Sequence, residues 1–84
     1  MLQAFGKEIE DKQNKRISHE LALKFGELLS DKKYSLKITV KSINNTLHYI
    51  SEKDPEFARC VLEQLKELYP TIHKIYTFEI KKTN

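Results

Sequence analysis

Three histidines, one cysteine, scattered carboxylates and a run of lysines are the side chains with chemistry to offer. A metal site on a helix needs ligands in register, as in H-x-x-x-H, so that two donors share one face. His19, His48 and His73 each stand alone, with no second His or Cys at such spacing. Cys60 falls at the edge of an apolar stripe running from Phe57 to Val61 and reads as a buried, inert thiol. A thiol nucleophile would need a base beside it, and no flanking motif supplies one. Two glycines cannot build a phosphate-cradling loop, and neither G-x-x-x-x-G-K-[ST] nor G-x-G-x-x-G occurs. Glu8, Glu10 and Asp11 suit solubility and local ion pairs. The expectation is a non-enzymatic protein with no catalytic residue, no metal and no cofactor.

The lysines are distributed unevenly. Residues 1–31 carry a net charge of −1, residues 32–41 carry +4 with no acid, residues 42–53 are neutral, residues 54–73 carry −2 and residues 74–84 carry +2. A basic patch on one surface is the electrostatic footprint of a polyanion binder. Exposed strand lysines also guard against edge-to-edge aggregation, so solvated surface is the competing reading.

The elements that carry these lysines follow from periodicity. Leu2, Phe5 and Ile9 have helical spacing, and "KEIEDKQNKR" is a solvated helix or a loop. In "ISHELALKFGELLSDKK", Ile17, Leu21, Phe25 and Leu28 fall on one helical stripe, with Leu23 opposite and Gly26 placed for close approach of a neighbour. "KYSLKITVKS" alternates: Tyr34, Leu36, Ile38 and Val40 on one side, Ser35, Lys37, Thr39 and Lys41 on the other. That predicts a strand over 34–41. Ser42 then caps a helix carrying Ile43, Leu47 and Ile50. A longer helix starts at Asp54-Pro55-Glu56 and buries Phe57, Val61, Leu65 and Leu68, with Pro70 as its stop. From residue 76 alternation returns, with Tyr76, Phe78 and Ile80 inward and Thr77, Glu79 and Lys81 outward.

The expected fold is therefore α+β: a small single domain over 1–84, order α-β-α-α-β, with an antiparallel strand pair covered by helices. Its predicted core is Ile17, Leu21, Phe25, Leu36, Ile38, Val40, Leu47, Phe57, Val61, Leu65, Phe78 and Ile80. Two strands alone are marginal and leave open edges, which favours a homodimer.

On that fold Lys33, Lys37, Thr39, Lys41 and Lys81 form a basic strand face. The expected function is a small regulatory protein binding DNA or RNA there. The alternative is a protein-binding module, an inhibitor, adaptor or accessory subunit, using an apolar patch (Leu23 with the Leu2/Phe5 end) or an open strand edge. Strand aromatics that stack bases would be a further resource. Here Tyr34, Tyr76 and Phe78 share the apolar face and read as core. No window is apolar enough to span a membrane, and "MLQAFGKEIEDK" lacks the pattern of a secretory leader. One cysteine suits a reducing compartment, so a cytoplasmic location is expected.

Lys37-Ile38-Thr39-Val40, followed by a short helix and a longer one, resembles the ribbon-helix-helix DNA-binding family over roughly residues 34–69. That resemblance implies a two-subunit ribbon with Lys37, Thr39 and Lys41 as base readers. The chain departs from the family at "SEKDPE", where a turn of small residues is usual, and by an extra element at each end.

Overall fold

The computed structural model describes residues 2–81, with side chains placed from residue 13 onward. Four helices follow one another: α1 (Leu2–Leu29), α2 (Leu36–Lys53), α3 (Pro55–Leu68) and α4 (Pro70–Ile75). No strand occurs among the described residues. The α+β class, the strand pair and the two-subunit ribbon are corrected accordingly: the protein is all-helical. The apolar spacing of Leu2, Phe5 and Ile9 lies outside the described side chains.

The correction turns on residues 34–41. Ser35 has extended backbone and its Oγ accepts the Ile38 N–H at 3.2 Å, which caps α2. The Ser35 carbonyl accepts both the Thr39 N–H and the Thr39 hydroxyl at 3.0 Å. Val40, Ile43, Asn44 and Leu47 are buried, a spacing of i, i+3, i+4, i+7 that crosses Ser42 without a break. One continuous helix buries that face against α3, whereas an isolated strand pair would be marginal. The β-branched run Ile38-Thr39-Val40 lowers helix propensity only by tenths of a kcal/mol per residue, about what tertiary burial routinely overrides. Ile38, expected inside, is 59% exposed; Leu36 and Tyr34 are exposed too, while Thr39, expected outside, is buried.

On α1 the buried stripe is Ser18, Ala22, Phe25 and Leu29, rotated from the expected Ile17–Leu28 stripe. Ile17 and Leu28 consequently stand half exposed at its margin. Ser18, Ala22 and Gly26 are small and buried, which lets α1 lie close on α3, its principal neighbour. A β-carbon at Gly26 would overlap the Tyr69 hydroxyl and lie 2.6 Å from its Cζ. The close approach read from the sequence is therefore with Tyr69. Gly26→Ala should gain about 1 kcal/mol of helix propensity. Overpacking should cost about 1–3 kcal/mol and win. In a Tyr69→Ala background the same substitution should raise stability; urea melts of the four chains check the change of sign.

The start of α3 follows its sequence signals. Asp54 Oδ1 accepts the Phe57 N–H at 3.2 Å, Pro55 takes the first turn, and Ala58, Val61 and Leu65 are buried. Pro70 ends that helix and opens α4, which carries His73.

Beyond α4 the chain continues as an irregular strap that bends at Tyr76 and Ile80, and the alternation read there holds in part. Phe78 is 1% exposed, Tyr76 and Ile80 pack at the core's margin, Thr77 and Lys81 are exposed, and Glu79, expected outward, is half-buried. No strand among the described residues pairs with this strap. Instead the buried Asn44 amide makes the bonds that a neighbouring strand would: Nδ2 donates to the Thr77 carbonyl at 2.9 Å, and Oδ1 accepts the Glu79 N–H at 3.0 Å. His73 Nδ1 accepts the Phe78 N–H at 3.1 Å, and its ring lies nearly parallel to that of Phe78. Asn44→Ala should cost about 1–3 kcal/mol, because both strap groups lose a buried partner. Amide exchange at Glu79 should accelerate more than exchange within α3; equal protection in parent and variant would contradict this pinning.

The core joins Ala22, Phe25 and Leu29 of α1, Val40, Ile43 and Leu47 of α2, Val61 and Leu65 of α3, and Phe78 of the strap. No buried side-chain polar atom among the described residues lacks a hydrogen-bond partner.

Candidate functional site

The helical fold redistributes the residues expected to form a basic strand face. Lys33 lies exposed in the turn between α1 and α2. Lys37 and Lys41 are exposed one turn apart on α2. Thr39 leaves the set: it is buried, and its hydroxyl donates to the Ser35 carbonyl. Lys81 is exposed at the end of the strap. Asn44, which holds Glu79, is one turn beyond Lys41, so the strap approaches α2 on the side of Lys37 and Lys41. Lys37 and Lys41 thus share an exposed face of α2 next to the point where the strap docks, and Lys33 lies in the turn before that helix. With no sheet edge among the described residues, the strand-edge reason for a homodimer is gone.

A second feature emerges from the way the helices meet. α1 and α2 each pack chiefly on α3 and much less on one another. A groove of about 240 Å³ remains between the end of α1, the 30–35 turn and the first half of α2. Its apolar lining is Phe25, Leu28, Tyr34, Ile38 and Ile43. Leu28 is 52% exposed, Tyr34 63% and Ile38 59%.

Three of its four polar lining side chains bond the protein's own backbone, and Ser42 is the fourth. Asp31 Oδ1 accepts the Lys33 N–H at 3.0 Å. The Thr39 and Thr46 hydroxyls donate to the Ser35 and Ser42 carbonyls, each at 3.0 Å. The two threonine donors are thereby spent on the backbone. The groove offers apolar contact, which fits an apolar surface better than a polar small molecule.

No protein-family model matches the chain, and no curated protein or solved structure shows significant similarity to it. Its reading rests on its own geometry.

The groups with catalytic chemistry are dispersed. His19 Nδ1 lies 2.9 Å from Gln64 Oε1, tying α1 to α3. His48 Nε2 lies 3.0 Å from Glu52 Oε1 one turn on. His73 serves the strap, Cys60 is half-buried on α3, and none of the four lines the groove. No cluster of three metal-ligating side chains occurs among the described residues. No helix among them is long and apolar enough to cross a membrane.

Sequence reasoning missed the groove because it placed Leu28, Tyr34 and Ile38 in the core. The available signal was that the α2 stripe Val40–Ile43–Leu47 excludes Ile38. The Leu2/Phe5 end of the apolar patch considered from sequence lies outside the described side chains.

Proposed function

We propose that the protein is a small, non-enzymatic interaction module of the cytoplasm that takes a protein partner in the groove between α1 and α2. The observation that supports this reading is the gathering of Leu28, Tyr34 and Ile38, each more than half exposed, around one apolar groove. Scattered exposed apolar side chains are ordinary, whereas a contiguous apolar surface marks a site of association. A tyrosine among them suits an interface, since it brings large area at small entropic cost. The single cysteine fits a reducing compartment.

A second reading keeps the expectation of DNA or RNA binding. It is favoured by the +4 charge of residues 32–41 and by the approach of the strap bearing Lys81 to the side of Lys37 and Lys41. Its surface is now a helix face and a strap.

Selection of peptides from a displayed library on the parent chain separates the two. Selected peptides should bind a Leu28→Asp/Ile38→Asp chain more weakly by about 10-fold or more, as expected for losing central apolar contacts. Both positions are exposed, so the variant should keep the parent's circular dichroism. Peptides indifferent to those substitutions would overturn the groove reading. Duplex DNA binding that weakens steeply with salt and is lost in Lys37→Ala/Lys41→Ala would favour the nucleic-acid reading.

A further inference from the structure

We infer that the occupant of the groove is an amphipathic helix of a partner protein whose apolar stripe is flanked by acidic residues; this rests on the protein-binding reading above. The helical form follows from hydrogen-bond accounting. An extended segment lying between two helices would bury N–H and C=O groups against walls whose polar groups are largely engaged. A helix satisfies its own backbone and presents apolar side chains at i, i+3, i+4 and i+7. The α2 wall runs from Ile38 to Thr46, about 12 Å, enough to flank about two turns of a guest helix.

The acidic flank follows from the charges bordering the groove. Lys24 lies one turn before Leu28, and Lys32 and Lys33 sit in the turn between Asp31 and Tyr34. All three are exposed. Of the nearby acids, Asp31 lines the groove itself and accepts the Lys33 N–H through one oxygen, and the three lysines outnumber Asp31 and Glu27. α2 begins with no acidic residue in its first turn, so its positive pole adds to the same field. A second copy joined groove to groove would bring the same lysine excess to both sides of the seam. Duplex phosphates would satisfy the lysines and leave Leu28, Tyr34 and Ile38 unused.

The test uses the full chain and three synthetic peptides of about 18 residues, long enough to form a helix in water. One carries a leucine stripe flanked by glutamates, its twin carries lysines in their place, and the third is the acidic peptide with a central proline. By anisotropy at low salt the acidic peptide should bind about 10-fold or more tighter than its lysine twin, as expected for complementary against like charge. The gap should narrow at about 0.5 M salt. The proline peptide should lose binding. Lys24→Glu/Lys33→Glu should reverse the order of the twins, and Leu28→Asp/Ile38→Asp should abolish all groove binding. Equal binding of the twins, still lost in the groove variant, would overturn the acidic helix while leaving protein binding intact. Undiminished binding of the proline peptide would overturn the helix. Failure of the parent to bind any of the three would overturn the inference; the displayed-library selection then decides separately whether the groove binds protein. Sedimentation as a dimer that the groove variant dissociates would assign the groove to a second copy and overturn the inference as well.

Discussion

Replacing Phe78 by Ala is expected to remove about 3–5 kcal/mol of stability, the usual cost of deleting a fully buried aromatic side chain. Phe78 is 1% exposed and belongs to the same cluster as Phe25, Ile43, Leu47 and Leu65. It is carried by a strap, not by a helix. Its burial depends on Asn44 holding Thr77 and Glu79, and on His73 accepting the Phe78 N–H. A chain this long holds about 5–10 kcal/mol in total, so the loss is a large share of it. Urea denaturation should show a much lower midpoint for Phe78→Ala. A midpoint equal to the parent's would mean that the strap is undocked and the core closes without it.

The second large effect separates helix from strand over residues 34–41. Ile43→Ala is expected to cost about 2–5 kcal/mol, because Ile43 is 1% exposed at the centre of the α2 face. Ile38→Ala should stay within about 0.5 kcal/mol of the parent, as for an exposed position. A strand over 34–41 turns Ile38 into the core beside Leu36 and Val40 and makes its removal costly. Paired denaturation curves for the two variants therefore read the local conformation directly. A costly Ile38→Ala would contradict the helical assignment.

Several parts of this fold were legible in the sequence for physical reasons. Asp54-Pro55-Glu56 announced α3, since a capping carboxylate, a fixed φ and an acidic first turn all favour a helix start. Gly26 marked a close approach, which Tyr69 makes. Tyr76, Phe78 and Ile80 were read on one face, and they do face the core. The sheet was not there because alternation describes an extended chain, not its partner. An asparagine amide at Asn44 supplies bonds that were assumed to come from a strand.

Residues 34–41 were misread for a different reason. Leu36 and Val40 are four residues apart, two periods of a strand and about one turn of a helix, so both periods accept them. The β-branched Ile38-Thr39-Val40 weighs toward a strand, and Ser42 offered a cap that Ser35 in fact provides. Only the register shared by Val40, Ile43, Asn44 and Leu47, running unbroken into the rest of α2, decides for the helix. The candidate site changed with it. Lys37 and Lys41 kept a common exposed face, Thr39 turned inward, and Ile38 moved from core to groove.

The most direct test of the groove as the binding surface is an amide shift map of the isotopically labelled chain on adding a peptide selected against it. The largest shifts should cluster on Phe25, Leu28, Tyr34, Ile38 and Ile43, the residues that line the groove. Shifts confined to the outer face of α3 at Arg59, Glu63 and Lys66, or to Lys37, Lys41 and Lys81, would contradict it.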